Sequence, residues 1–245
     1  MGLDVSVGLL ADLLKHDEEG ASWLREDLEK LNEVLLKGGL ARHDEPEKAP
    51  LLAISLGSYD TLHELRRVAA CWQYAGSLPG RQHEDRDPDG DALTERYYLS
   101  VDDENTGAPP GSFIDASGRR FDHLMVHGDS EGFYIPQRFQ SVLVTGDDAY
   151  GAVGSSFRLA EECEELARAL DIPIDLLRAG GEKVFTRALH ALEGRPSLGE
   201  RVGRMLGRSP RQAAWRRLPL AALVCAQIYR AAQHSIRTGA VIVFH

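Results

Sequence analysis

No stretch of this chain holds the roughly 18–20 consecutive apolar residues that a membrane-spanning helix requires, and its N-terminus lacks the basic-then-apolar order of a secretory leader. The expectation is a soluble, cytoplasmic protein. Cysteine is scarce: Cys71, Cys163 and Cys225 lie far apart in apolar or helix-like surroundings, without Cys-x-x-Cys spacing. That pattern argues against a disulfide framework and a cysteine-built zinc site, and all three read as core thiols. Also missing are a Gly-x-Ser-x-Gly elbow, a Cys/His nucleophile pairing, a His-Glu-x-x-His zinc motif and a dinucleotide fingerprint. No reaction is named by these absences, and no cofactor is expected.

What is present is a chain of 245 residues, 43% hydrophobic, enough for one large domain with a substantial core. The net charge of −10 is unevenly spread. Residues 1–110 hold 23 acidic and 11 basic side chains (−12), and residues 111–245 hold 15 and 17 (+2). An acidic half repels phosphate, so nucleic acid is an unlikely partner for the molecule as a whole. A basic protein would complement that half.

Periodicity sketches the elements. Residues 1–9 alternate at period two and read as a strand, and Leu24, Leu28, Leu31 and Leu35 recur at helical spacing between Ala11 and Lys37, with Gly20 a point of division. Leu51–Leu56 reads as a buried strand, and Leu62–Tyr74 as a helix opened by Asp60 or Thr61. Residues 76–92 and 102–112 read as surface loops around a strand over Leu93–Val101. The acids at 102–104 lack the ligand spacing of a calcium loop. Another strand is expected over Phe121–Val126 and a short one over Ser141–Thr145. Gly151–Ser156 reads as a glycine-rich loop entering a helix, with plain serine capping favoured over anion binding. Pro219 should kink or divide the long apolar helix of residues 210–234, and Ala240–Phe244 reads as a final strand. The sum is a single α+β domain whose central mixed sheet uses both chain termini and is packed with amphipathic helices.

The best site candidate is the run from Phe121 to Pro136. At the spacing of a strand, His127, Asp129 and Glu131 fall on one face, an imidazole with two carboxylates. Such a set suits proton transfer or a facial metal triad, with His63 or His123 as an added imidazole. The same glycine-flanked triplet also suits an ordinary hairpin turn. A ligand-binding face is expected opposite it from Tyr59, His63, Arg66, Arg67 and Tyr134. Between Gly194 and Leu218, seven arginines (Arg195, Arg201, Arg204, Arg208, Arg211, Arg216, Arg217) accompany one acid, Glu200. They read first as a solvated helix face, next as a patch for an acidic partner, and last as a nucleic-acid surface, for Trp215 alone is interleaved with them.

The opening Met1-Gly2-Leu3-Asp4-Val5, the segment Leu62-His63-Glu64-Leu65-Arg66-Arg67 and the stretch His127-Gly128-Asp129-Ser130-Glu131-Gly132-Phe133-Tyr134-Ile135-Pro136 resemble a group of uncharacterised bacterial proteins of actinobacterial type. The resemblance implies a bacterial, cytoplasmic origin and supplies no catalytic residues. The leading functional expectation is a non-enzymatic binding or interaction protein, a regulator or immunity-type inhibitor. The alternative is a metal-dependent or acid-base hydrolase centred on His127, Asp129 and Glu131.

Overall fold

The structure is a computed structural model that describes residues 2–80, 91–105, 107–115, 118–126, 128, 132–146, 151–193 and 213–245. In chain order the elements are β1 (Asp4–Val7), α1 (Leu9–His16), α2 (Glu18–Lys37), β2 (Leu52–Ser55), α3 (Tyr59–Ala75), α4 (Ala92–Asn105), α5 (Asp122–Met125), β3 (Phe133–Ile135), β4 (Leu143–Val144), β5 (Ala152–Ser155), α6 (Ser156–Ala169), α7 (Ile174–Ala179), α8 (Glu182–Glu193), α9 (Ala214–Arg217), α10 (Pro219–Thr238) and β6 (Ile242–Phe244).

The strands form one mixed sheet in the order β2-β1-β6-β3-β5-β4. The two terminal strands are neighbours, antiparallel in the register Val5↔Phe244 and Val7↔Ile242. Among the described strands, only the β3–β5 pair runs parallel. Because side chains alternate across a strand, the register sorts the sheet into two faces. Val243, Phe133, Val153 and Leu143 make one cross-strand row, which packs under Leu24, Leu28, Leu31 and Leu35 of α2. Each such leucine, taken from water, contributes about 1.5–3 kcal/mol. Val7, Ile242 and Tyr134 face the other way, into the larger core beneath α3, α6 and α10. The molecule is thus a single α+β domain with helices on both sheet faces.

Gly154 lies opposite Tyr134 in the β3–β5 register, and a Cβ there would meet the Tyr134 ring at 2.3 Å. The ring has no room to retreat, since its hydroxyl donates to the His123 carbonyl at 2.6 Å and its face meets Phe244. Gly154→Ala should therefore lower the unfolding free energy by about 1–3 kcal/mol, as overpacking does. A urea melt checks this, and an unchanged midpoint would mean the strands separate without cost.

Three segments depart from the sequence expectation, each for a physical reason. Phe121–Val126 is not a strand. Its centre is the helical turn α5, fixed by the Met125 N–H on the Phe121 carbonyl (2.8 Å) and by the buried Glu162 carboxylate of α6. That carboxylate accepts the first-turn N–H of His123 (3.2 Å) and also that of Leu124 (2.8 Å), which the Phe121 carbonyl shares at 3.1 Å. Leu93–Val101 is helix α4, which runs on to Asn105. Asp91 caps it by accepting the Leu93 N–H at 2.9 Å, and Thr94, Tyr97 and Val101 line its buried stripe. Residues 152–155, expected as loop, are the fully buried strand β5, in which Gly154 serves the Tyr134 ring rather than a turn. Ser155 does cap α6, accepting the Arg158 N–H at 3.4 Å.

Elsewhere the breaks fall where the residues direct them. The division before α2 comes at Asp17, three residues ahead of Gly20, whose N–H the Asp17 carboxylate accepts at 3.0 Å. Pro219 divides the C-terminal helical run instead of kinking it, because at the first position of α10 its missing N–H costs nothing. Among the described residues no helix is long and apolar enough to cross a membrane.

Candidate functional site

The residues singled out by sequence divide into three groups. His127, Asp129 and Glu131 lie outside the described residues. Arg66 and Tyr134 are brought together on α5: the Arg66 Nε donates to the Leu124 carbonyl at 3.0 Å and the Tyr134 hydroxyl to the neighbouring His123 carbonyl. Tyr59, His63 and Arg67 remain along α3. Tyr59 packs half-buried against the core, and His63 is buried one turn on. Arg67 turns to its own helix, giving Nε and Nη2 to the two oxygens of Glu64 at 2.8 and 2.7 Å. Both of those side chains are nearly sealed, 4% and 2% exposed. The arginines thus act on protein groups within the core.

Next to α5 lies a polar cavity of about 260 Å³, lined by Asp122, His123, Arg119, Arg158, Gln140 and Glu162 among others. Asp122 Oδ1 takes the Tyr97 hydroxyl (2.7 Å) and the Arg119 Nε (2.8 Å), and Arg119 also reaches the Asp115 carbonyl through Nη2. Burial, and the carboxylate that accepts its proton, push the Tyr97 phenol far above its ordinary value. At His123 the Ser155 N–H donates to Nδ1 at 2.9 Å. The ring proton therefore sits on Nε2, which donates to the Gln140 carbonyl at 3.1 Å. Burial pulls this imidazole down to about 4, so at neutral pH it is uncharged with both nitrogens engaged. Such a ring is a tie between β5 and the chain before β4, with no lone pair left for a proton or a metal. Burial likewise raises the Glu162 carboxyl well above its usual range, against the two backbone N–H groups that favour its charge. Among the described residues no group of three or more His, Cys, Asp or Glu is placed to hold a metal ion.

Sequence reasoning passed over Asp122, Glu162 and Tyr97, yet one signal was available. Glu162 falls between Leu159 and Leu166 on the apolar stripe of α6, and an acid there must find buried donors.

The second candidate is a surface. The outward side of α2 carries Glu18, Glu19, Glu26, Glu29 and Glu33, all exposed, while its inward side carries the leucines of the core. The loop after α2 brings Glu47 alongside, within reach of Arg25. That loop is fastened from beneath: Asn32 exchanges two hydrogen bonds with the His43 backbone (2.6 and 3.1 Å). The buried His43 ring meets Glu45 at 2.7 Å, and Glu45 Oε2 accepts the Val241 N–H at 2.9 Å. Some surface acids are matched, Glu47 by Arg25 (2.5 Å), Glu29 by Arg42 (2.7 Å) and Asp27 by Lys30 (3.3 Å). Exposed pairs of this kind contribute little stability. Among the described residues, no ion pair engages Glu18, Glu19, Glu26 or Glu33.

Of the seven arginines between Gly194 and Leu218, Arg195, Arg201, Arg204, Arg208 and Arg211 lie outside the described residues. Arg216 lies over the Trp215 ring, 5.6 Å from its centroid, and Arg217 donates to the Gly80 carbonyl at 2.9 Å.

A family model described as "Putative DNA-mimic protein" matches residues 1–244, and the chain belongs to that family. No curated protein and no solved structure matches it. The description is of a binding role. It corrects the partner expectation, which paired a basic protein with the acidic half and an acidic partner with Arg195–Arg217 and set nucleic acid aside: a DNA-mimic description ties the chain to proteins that bind DNA. Repulsion of phosphate by carboxylates holds for DNA itself but leaves out a protein whose own ligand is DNA. The same anionic surface that repels DNA is what a DNA-binding protein would receive in its place.

Proposed function

We propose that, as a member of this family, the chain occupies the DNA site of a DNA-binding protein, its carboxylates standing where backbone phosphates would lie. It acts as a regulator or immunity-type inhibitor of that protein. The observation that carries this reading is the family match over residues 1–244. The charge distribution supports it, since the acidic excess is concentrated in the half of the chain that contains α2.

Physical chemistry makes α2 a suitable substitute for one DNA strand. From Glu18 to Glu33 the helix advances about 22 Å at about 1.5 Å per residue, and a strand of duplex over that distance carries roughly six or seven phosphates at about 3.4 Å rise. Residues 17–33 hold seven acids and two bases, Arg25 and Lys30, which leaves a net charge of −5 along that line. The helix is rigid because Leu24, Leu28, Leu31 and Leu35 seat it on the sheet. Its charges are therefore already in place before the partner arrives, which limits the ordering cost of binding. Fields of this kind also steer association, and salt weakens them. The partner binds DNA in the cell, so the shared compartment is the cytoplasm.

The test starts from the DNA-cellulose-retained proteins of the source cell, passed over the immobilised chain. The protein retained there and released by free duplex is then titrated by fluorescence anisotropy on a labelled duplex. The chain should displace the duplex, and replacing Glu18, Glu26 and Glu33 together by glutamine should weaken displacement about tenfold or more. Displacement of no duplex, with the folded chain in large excess, would contradict the proposal.

A further inference from the structure

We infer that Trp23 is the apolar anchor of the surface that meets the DNA-binding protein, with an arginine of the partner's DNA site stacked on its indole. The inference rests on the proposed mimicry and adds to it a location and a contact.

Trp23 is 62% exposed, more than any other large apolar side chain described, on a helix whose leucines are buried. The chain's other tryptophans differ: Trp72 is packed against the core and Trp215 lies within it. An indole left in water forgoes a large burial gain, and tryptophan is enriched where interfaces concentrate their binding energy.

Its setting selects the occupant. On a helix the neighbours of a residue stand three and four positions away, and for Trp23 these include Glu19 on one side and Glu26 and Asp27 on the other. Arg25 is turned away to Glu47, and Lys30 is paired with Asp27, so Glu19 and Glu26 are the neighbouring carboxylates without an ion pair among the described residues. An apolar plate edged with carboxylates complements an arginine-rich surface, where a guanidinium can stack on the indole and reach a carboxylate with its N–H groups. Arginine in a DNA site is held ready for a phosphate or a base edge. The face of α2 offers it a carboxylate and a flat ring instead.

The experiment compares the wild type with W23A, W23F and, as a control, I174A, an equally simple truncation of an exposed residue on α7. Each is titrated against the duplex complex of the retained DNA-binding protein, with thermal melts and sedimentation run alongside. W23A should displace duplex at least tenfold less well while melting as the wild type does; W23F should keep most of the potency, and I174A all of it. In the wild-type complex, acrylamide should quench tryptophan emission less than in the free chain, a difference absent from W23F. If W23A displaces duplex as well as the wild type, the anchor is overturned and the mimicry stands. If the wild type displaces none, the mimicry fails and takes the anchor with it. If sedimentation shows self-association that W23A abolishes, Trp23 serves a second copy of the chain and the inference is overturned.

Discussion

Replacing Arg67 by methionine should lower the unfolding free energy by about 3–5 kcal/mol, the usual consequence of stranding a buried charge. The partner left behind would be Glu64, whose two oxygens accept from Arg67 at 2.7 and 2.8 Å within the core side of α3. Desolvation works against the guanidinium charge, but the Glu64 carboxylate outweighs it and holds the Arg67 pKa above its ordinary value. The loss is asymmetric. A chain carrying both Arg67→Met and Glu64→Met should recover most of it, because no charge is then left unpaired. Urea melts of the two single variants and the double measure this directly. If Arg67→Met unfolds at the wild-type midpoint, the pair is not structural, and Arg67 returns to consideration as a ligand-binding residue.

The second large effect is on pH dependence. His123 falls from 6.5 to about 4 in the folded chain, chiefly through burial, with the Gln140 hydrogen bond opposing. Below an ordinary histidine pKa the unfolded chain takes up a proton that the folded chain refuses. The stability from this residue is therefore complete above pH about 6.5 and is lost as the pH falls towards 4. A shift of this size corresponds to about 3 kcal/mol as an order of magnitude. Glu162 acts in the opposite sense, for a carboxyl raised by burial favours the folded state as the pH falls. The total profile mixes the two, so the informative quantity is the difference between wild type and His123→Gln. That difference should shrink from pH 6.5 to pH 4. A constant difference would mean that the ring titrates normally and is not enclosed as described.

Much of the fold was legible in the sequence because its signals are local. Val5 and Val7, the α2 leucines, Leu52 and Ile54, and the closing Ile242–Phe244 all show the period of their elements, and they gave a mixed sheet that uses both termini. The failures occurred where burial comes from all sides. Around α5 the residues Phe121, Asp122, His123, Leu124 and Met125 are all buried, so alternation of apolar and polar residues carries no information about direction. The helical turn there depends on Glu162, 38 or more residues away. In α4 the signal existed, an Asp91 cap followed by Thr94, Tyr97 and Val101, but β-favouring residues concealed it.

The functional site was less legible for a related reason. Motif reading seeks a converging set of reactive groups, and it led to His127, Asp129 and Glu131, which lie outside the described residues. The surface proposed to imitate a polyanion would have no such convergence. Its sequence trace is the excess of 12 acids over bases in residues 1–110, which was read for what it repels.

Mimicry has one consequence that ordinary inhibition lacks: the partner cannot hold the chain and DNA at once. Native mass spectrometry of the retained DNA-binding protein, mixed with the chain and a short duplex, measures this directly. The account requires two binary complexes whose ratio follows the ratio of the competitors, with no species containing all three. A stable ternary complex would contradict it, because the chain would then be seated somewhere other than the DNA site.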